Sequence, residues 1–200
     1  MRELRLYRGD CPADLYSFRY RIYVDEMGRT QRYADHDAKI IKDPLDDFAV
    51  QGVAFDNGAM VGCLRANFLR DGDIGEYKSL YRIDDLSPAE IAGASICTRF
   101  MVEPTLRGTA LPMRLLLQQY ADALEQRITT CYVDCNEPMR DFFIRFGFKS
   151  LFLTQHPEYG RVEVMRLDIE DAEHLVSVRS PFLSLYRKAM AQRAMALAAE

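Results

Sequence analysis

Between an apolar run, Ala94 to Val102, and a leucine repeat at Leu111, Leu115, Leu116 and Leu124, the chain turns through Arg107-Gly108-Thr109-Ala110. The run suits a strand, and the repeat predicts a helix over residues 110–126. A helix start carries N–H groups without intrahelical partners, a glycine lets a ligand approach the backbone, and Arg107 adds positive charge. Such a turn holds an anion, a phosphate above all, although many ordinary turns share its composition. A second strand, Thr129 to Cys135, runs straight into Asn136-Glu137-Pro138-Met139-Arg140-Asp141-Phe142-Phe143-Ile144-Arg145-Phe146-Gly147-Phe148. Met139, Phe142, Phe143 and Phe146 fall on the apolar side of a short helix that Gly147 stops.

With both segments present in this order, the chain resembles the GNAT superfamily of acyltransferases over about residues 14–168. The resemblance implies that the turn at Arg107, Gly108, Thr109 and Ala110 holds the phosphate of an acyl-pantetheine thioester. It also implies that the two strands splay and that the pantetheine arm lies between them, against Phe100, Met101 and Val102, with Asn136 and Phe143 completing the donor site. Phe18 to Met27, Asp46 to Val50, Val61 to Arg65 and Thr98 to Phe100 look like one branch, that of the acyl-homoserine-lactone synthases and N-acyl amino acid synthases. The second of these is the nearer match by pattern. The branch implies transfer of a fatty acyl group from acyl carrier protein, or from coenzyme A, to the amine of an amino acid or similar small molecule, with no permanently bound cofactor. Acetyl-coenzyme A-dependent N-acetylation and a non-catalytic acyl-pantetheine sensor remain the alternatives.

Three departures from the family pattern matter. Ala110 and Pro112 stand where glycine or alanine is usual, and proline has no N–H to donate. A cradle with fewer donors suits the single phosphodiester of carrier protein better than the pyrophosphate of coenzyme A. Phe143 stands where many relatives keep a tyrosine that protonates the leaving thiolate; a pantetheine thiol of pKa near ~8.5 leaves without obligatory protonation. Ile96 stands where lactone synthases tend to have glutamate, which argues against homoserine-lactone synthesis.

Amide formation needs a neutral amine and therefore a base. The resemblance directs attention to the splayed strands, where Thr98, Asp134 and Glu103 are the candidates; Asp134 equally suits a helix cap. Backbone N–H groups near Phe100 to Val102 are expected to meet the oxyanion. Arg19, Arg65 and Arg99 come from three matched segments and, if they converge, orient an acceptor carboxylate; pairing with Asp25, Asp46 or Asp47 is the structural alternative. Arg107, Arg114, Arg140, Arg145 and Lys149 fall near the two motif helices and suggest a basic rim for an acidic carrier protein. His36, His156 and His174 read as surface residues.

The elements that must position these groups follow the order β-α-α-β-β-β-α-β-α-β-β. That order predicts an α/β fold with a GNAT-like mixed, mostly antiparallel sheet flanked by helices. The acyltransferase domain is expected over residues 1–170, with a C-terminal helical extension over 171–200 packed on or near it. Residues 70–90, rich in Asp, Gly and Tyr, read as a long loop with a partial helix, either a lid or a mobile excursion. A net charge of −4 without a basic run speaks against nucleic acid as partner. No apolar stretch approaches the ~18 residues of a membrane span. Five cysteines without a CxxC pair read as reduced thiols, and together with a charged, alternating N-terminus they place the protein in the cytoplasm and assign no metal site.

Overall fold

The computed structural model describes residues 2–198. Its main sheet is built from β1 (Glu3–Arg8), β4 (Val50–Asp56), β5 (Ala59–Phe68), β6 (Ala94–Val102), β7 (Thr130–Cys135), β8 (Lys149–His156) and β9 (Gly160–Asp168). The strands lie in the order β1-β4-β5-β6-β7-β9-β8. Every neighbouring pair is antiparallel except β6 with β7. A two-residue ladder, β2 (Ala34–Asp35) with β3 (Ile40–Ile41), stands apart. The β4–β5 hairpin turns through Asn57 and Gly58, both at positive φ (51° and 83°), as a tight two-residue turn requires.

Two irregularities in β6 shape everything that follows. Cys63 of β5 faces Met101 and Arg65 faces Thr98, so Arg99 and Phe100 form a bulge against Leu64. Arg99 adopts φ 55°, a left-handed conformation that an arginine holds only when its surroundings fix it. On the other edge β6 pairs with β7 through Ala94–Cys97 and Thr130–Val133 and no further. Beyond that point β6 continues to Val102 and β7 to Cys135 with nothing between them, which is the splay that the resemblance implied.

Helix α1 (Asp14–Tyr20) runs on as a π-helix through Arg21–Glu26, a wider turn that hydrophobic spacing does not reveal. Leu15, Phe18 and Ile22 are buried at helical spacing, whereas Met27 is exposed. Pro44–Phe48 is a 3-10 helix capped by Asp43, with Asp46 reaching back to close the capping box. Residues 70–90 are packed, contrary to a mobile excursion: they form α2 (Tyr77–Tyr81) and enter α3 (Pro88–Gly93), and Ile74, Tyr77, Tyr81 and Ile83 make a core with Ile96, Tyr132 and Val164. Helix α4 (Leu111–Glu125) buries Leu111, Leu115, Leu116, Tyr120 and Leu124 against the sheet. Helix α5 (Arg140–Phe146) ends at Gly147, φ 106°.

The tail holds two helices, α6 (Ala172–Ser177) and α7 (Leu183–Leu197), where one was expected. Phe182 stacks on Tyr120 at 4.0 Å, and the Ser180 hydroxyl donates to the Phe146 carbonyl at 2.6 Å. Leu175 and Phe182 share one core with Leu116, Phe143 and Phe148.

Candidate active site

A cavity of about 350 Å³ fills the wedge where β6 and β7 part. Phe100 of β6 stacks on Phe142 and meets Phe143 edge-on, both from α5, and these rings with Met139 and Leu116 give the cavity its apolar part. Its polar part carries Tyr23, Arg29, Tyr77, Arg99, Asp134 and Tyr159. Of the donor residues expected from sequence, Phe100, Met101, Val102, Arg107, Asn136 and Phe143 line the cavity. Thr98, Asp134 and Arg99 line it too, whereas Glu103, Gly108, Thr109, Ala110, Arg19 and Arg65 do not.

The turn before α4 is poorer in free donors than its composition suggests. The amides of Arg107 and Thr109 donate to Pro104 and Leu106, and that of Leu111 donates to the Thr109 hydroxyl at 3.2 Å. Pro112 has none to offer, so the amides of Gly108 and Ala110 are the ones without an intramolecular partner in the turn, among the described residues. A side chain added at Gly108 would meet nothing within 4 Å, so the face above it is open. The Arg107 guanidinium is already engaged: Nε donates to the Val102 carbonyl at 3.0 Å, and the Nη atoms reach Glu26 at 2.7 Å. Its charge is shared rather than free. Arg140 pairs likewise with Glu163 at 2.9 Å, and Lys149 with Asp171 at 3.0 Å, so the basic rim is thinner than the sequence suggests.

Arg19, Arg65 and Arg99 do converge, but on carboxylates of their own chain. Arg19 holds both oxygens of Asp46 at 2.8 Å and Gln51 at 2.8 Å. Arg65 donates to Asp43 at 2.5 Å, Asp46 at 3.1 Å and the Thr98 hydroxyl at 2.9 Å. Arg99 donates to Asp43 at 2.8 Å, Gln31 at 2.5 Å and the Tyr159 hydroxyl at 2.9 Å. Arg19 and Arg65 are fully buried, and their role in this arrangement is ion pairing, which corrects the expectation that they touch the acceptor. Arg99 alone of the three borders the cavity. Burial opposes ionisation of Asp43, but Arg65 and Arg99 outweigh it and hold its carboxyl down to about 2. This network pins the strained backbone of Arg99. Arg29 adds a second cavity cation: it lies 5.0 Å over the Tyr159 ring and bonds the Asn136 side chain at 3.3 Å.

The three candidate bases differ sharply. Glu103 is held bidentately by Arg21 at 3.0 and 2.7 Å, outside the cavity. The Thr98 hydroxyl accepts from Arg65 and donates no hydrogen bond among the described residues. Asp134 sits on the cavity wall, with Oδ1 accepting from the Tyr81 hydroxyl at 2.7 Å. Burial raises its proton affinity above the ordinary carboxylate value, while Tyr81, His156 and Arg99 act in the opposite sense. A carboxylate tuned upward in a cleft is suited to taking a proton near neutral pH.

Sequence patterns missed several of these groups. His156 is buried, stacked on Tyr159 at 4.2 Å, and burial lowers its pKa, so it is not the surface residue expected. Its Nδ1 accepts from the Glu158 amide at 3.0 Å, which puts the proton of the neutral ring on Nε2. Gln31, Tyr81 and Tyr159 lie far in sequence from what they touch and leave no local signal. Asp43 did leave one, since Asp-Pro followed by Asp at the third helical position is a capping pattern.

The family model for the Acetyltransferase (GNAT) domain matches residues 18–117. No curated protein matches the sequence. Among solved structures, the AHL synthase LasI superposes with a TM-score of 0.68 at 11% identity, covering 89% of this chain and 94% of its own. TofI, in a ternary complex with an inhibitor and MTA, gives 0.66 at 20% identity, covering 92% and 99%. FeeM, an N-acyl amino acid synthase from uncultured soil microbes, gives 0.62 at 17% identity, covering 86% and 93%. At these identities the likeness establishes the fold. The splayed strands, the two motif helices in their expected places and the domain match agree: this chain belongs to the GNAT family and is an acyltransferase.

Proposed function

We propose that the protein is a cytoplasmic N-acyltransferase that moves a fatty acyl group from acyl carrier protein to the amine of an amino acid or similar small molecule. The observation that carries this reading is the two-part cavity, an apolar stretch of Phe100, Met139, Phe142 and Phe143 beside a polar patch of Arg29, Arg99 and Asp134. Beyond the wall that a pantetheine arm would use, the rings of Phe142 and Phe143 with Met139 and Leu116 offer a hydrocarbon chain apolar contact that an acetyl group does not need. Arg99 is already paired with Asp43, which leaves Arg29, bonded to the neutral Asn136 side chain, to meet an acceptor carboxylate. The two free amides at Gly108 and Ala110 favour a single phosphodiester and hence carrier protein. Coenzyme A as donor is the second reading, favoured by the open face above Gly108 and by the likeness to MesI, a CoA-dependent acyl-homoserine lactone synthase.

In this reaction Asp134 takes one proton from the acceptor ammonium, leaving a neutral amine. The amine nitrogen attacks the thioester carbonyl carbon, a C–N bond forms, and the oxyanion is met by backbone amides in the Phe100 to Val102 stretch, where the bulge interrupts the ladder. The C–S bond then breaks with its electron pair on sulfur, and the second N–H proton goes to the thiolate through solvent. Phe143 offers no proton, in keeping with a leaving group that does not require one.

The test is free-thiol release from decanoyl-carrier protein, decanoyl-coenzyme A and acetyl-coenzyme A against a panel of amino acids and their amides. We expect the decanoyl-carrier protein to be used best, with carboxylate-bearing acceptors ahead of their amides. Its rate is expected to fall with ionic strength and in Arg145→Glu. Preference for acetyl-coenzyme A, insensitive to salt, overturns the reading.

A further inference from the structure

Resting on the reading of Asp134 as base, we propose that Tyr81 is its positioning residue: the Tyr81 hydroxyl, 2.7 Å from Oδ1, turns the carboxylate so that Oδ2 faces the cavity and receives the acceptor's proton. Neither family motif includes Tyr81. It belongs to the segment between β5 and β6 that composition alone marks as a lid or an excursion.

The geometry leaves Tyr81 little else to do with its hydroxyl. Its ring is 1% exposed, stacked on Tyr132 at 6.2 Å and tilted against Tyr77 at 5.6 Å. Both rings are fixed by the core that α2 makes with Ile96 and Val164. A phenol buried to this degree cannot reach water, and a buried hydroxyl without a partner is costly, so the bond to Asp134 orients both groups. No other side chain among the described residues donates to the Asp134 carboxylate, whose remaining bond is to its own amide. One carboxylate oxygen is thus anchored from behind the sheet and the other is left for substrate.

Direction follows from charge. The groups facing Asp134 are Tyr81 and Tyr77 from α2, Arg99 from β6, His156 from β8 and its own neighbour Cys135. Burial lifts the carboxylate's proton affinity, and the Tyr81 bond, His156, its own amide and Arg99 each hold it back. Tyr81 itself stays protonated, because burial and the adjacent Asp134 push its own ionisation far upward. It is therefore a permanent donor, never a competing acid. Removing the hydroxyl takes away stabilisation of the charged carboxylate only, so the carboxylate must protonate at higher pH.

The experiment has two arms. In the first, the whole protein is labelled with [γ-13C]aspartate and its carboxyl resonances are titrated without substrate; the Asp134 signal is the one lost in Asp134→Asn. We expect Tyr81→Phe, which keeps the stacked ring, to move that titration upward by about one pH unit. Incorporation of 3,5-difluorotyrosine at position 81 retains shape and hydroxyl but strengthens donation, and should move it down. In the second arm, kcat/KM is followed against pH with the best donor–acceptor pair from the panel above. The acid limb should shift upward with Tyr81→Phe by the same amount and vanish in Asp134→Asn. In the Asp134→Asn background, Tyr81→Phe should change nothing further. An Asp134 signal that ignores both changes at position 81 overturns the inference and leaves the base reading standing. An acid limb that survives Asp134→Asn overturns the base reading, whatever the titration shows.

Discussion

Asp43 shows how one short side chain can decide the geometry of a site. It is buried, it caps the helix at Pro44, and it accepts from two arginines on different strands. Its folded pKa of about 2 lies below the 3.8 of an ordinary aspartate. A depressed carboxylate contributes stability that is fully present above its unfolded pKa and is lost as pH falls through the folded one. The contribution, roughly 2 kcal/mol at neutral pH, should therefore fade between about pH 4 and pH 2. Asp43→Asn should cost about 3–5 kcal/mol at pH 7, because it leaves Arg65 and Arg99 buried without their shared partner. Urea unfolding at pH 7 and again near pH 3 checks this, since the gap between variant and parent should narrow in acid. Phe143 makes the opposite case, a residue whose change should matter little. Phe143→Tyr is expected to alter turnover by less than about tenfold, where supplying a missing obligatory acid gives about 100-fold or more. Steady-state kinetics at fixed pH decides between them.

At the scale of elements, features that depend on near neighbours are legible in the sequence. The alternation of β1, the Asn57-Gly58 hairpin, the strand before Arg107 and the helix ended by Gly147 all follow from spacing within a few residues. The departures have a common physical cause, since each depends on something distant. The π-turn after α1, the packing of residues 70–90 and the bulge at Arg99 are set by contacts across the sheet, which period and propensity do not encode. The donor turn can be tested directly. A side chain at Gly108 meets open space and its φ is ordinary, so Gly108→Val should leave thermal stability within a degree or two, about 0.5 kcal/mol. It should raise the donor KM at least about tenfold if that open space is where the phosphate lies. An unchanged KM would move the phosphate elsewhere.

For the whole molecule, fold class was legible and the site was only half so. The order of strands and helices pointed to a mixed sheet, and the two motifs to its cleft. What the order could not give is that residues 31, 43, 99 and 159 meet at one guanidinium. The tail is part of the main core, for Phe182 and Leu175 are buried in it. Burying two such side chains stabilises by roughly 3–6 kcal/mol, a large share of a typical domain's net stability. A chain ending at residue 170 should therefore melt at least about 10 °C lower or fail to fold, as followed by circular dichroism.

The short parallel seam between β6 and β7 has an implication for how the protein comes into being. Strands β1, β4, β5 and β6 all precede the seam in sequence, and β7, β8 and β9 all follow it. Each half is a contiguous stretch built from neighbouring antiparallel strands, and four residue pairs join them. As the chain leaves the ribosome, the first half can assemble with α4 before any of the second exists. The cleft has one wall until β7 emerges, so a nascent chain with only the first half assembled has nowhere to hold an acyl group. Once α7 settles on α4, the tail fastens the second half onto the first.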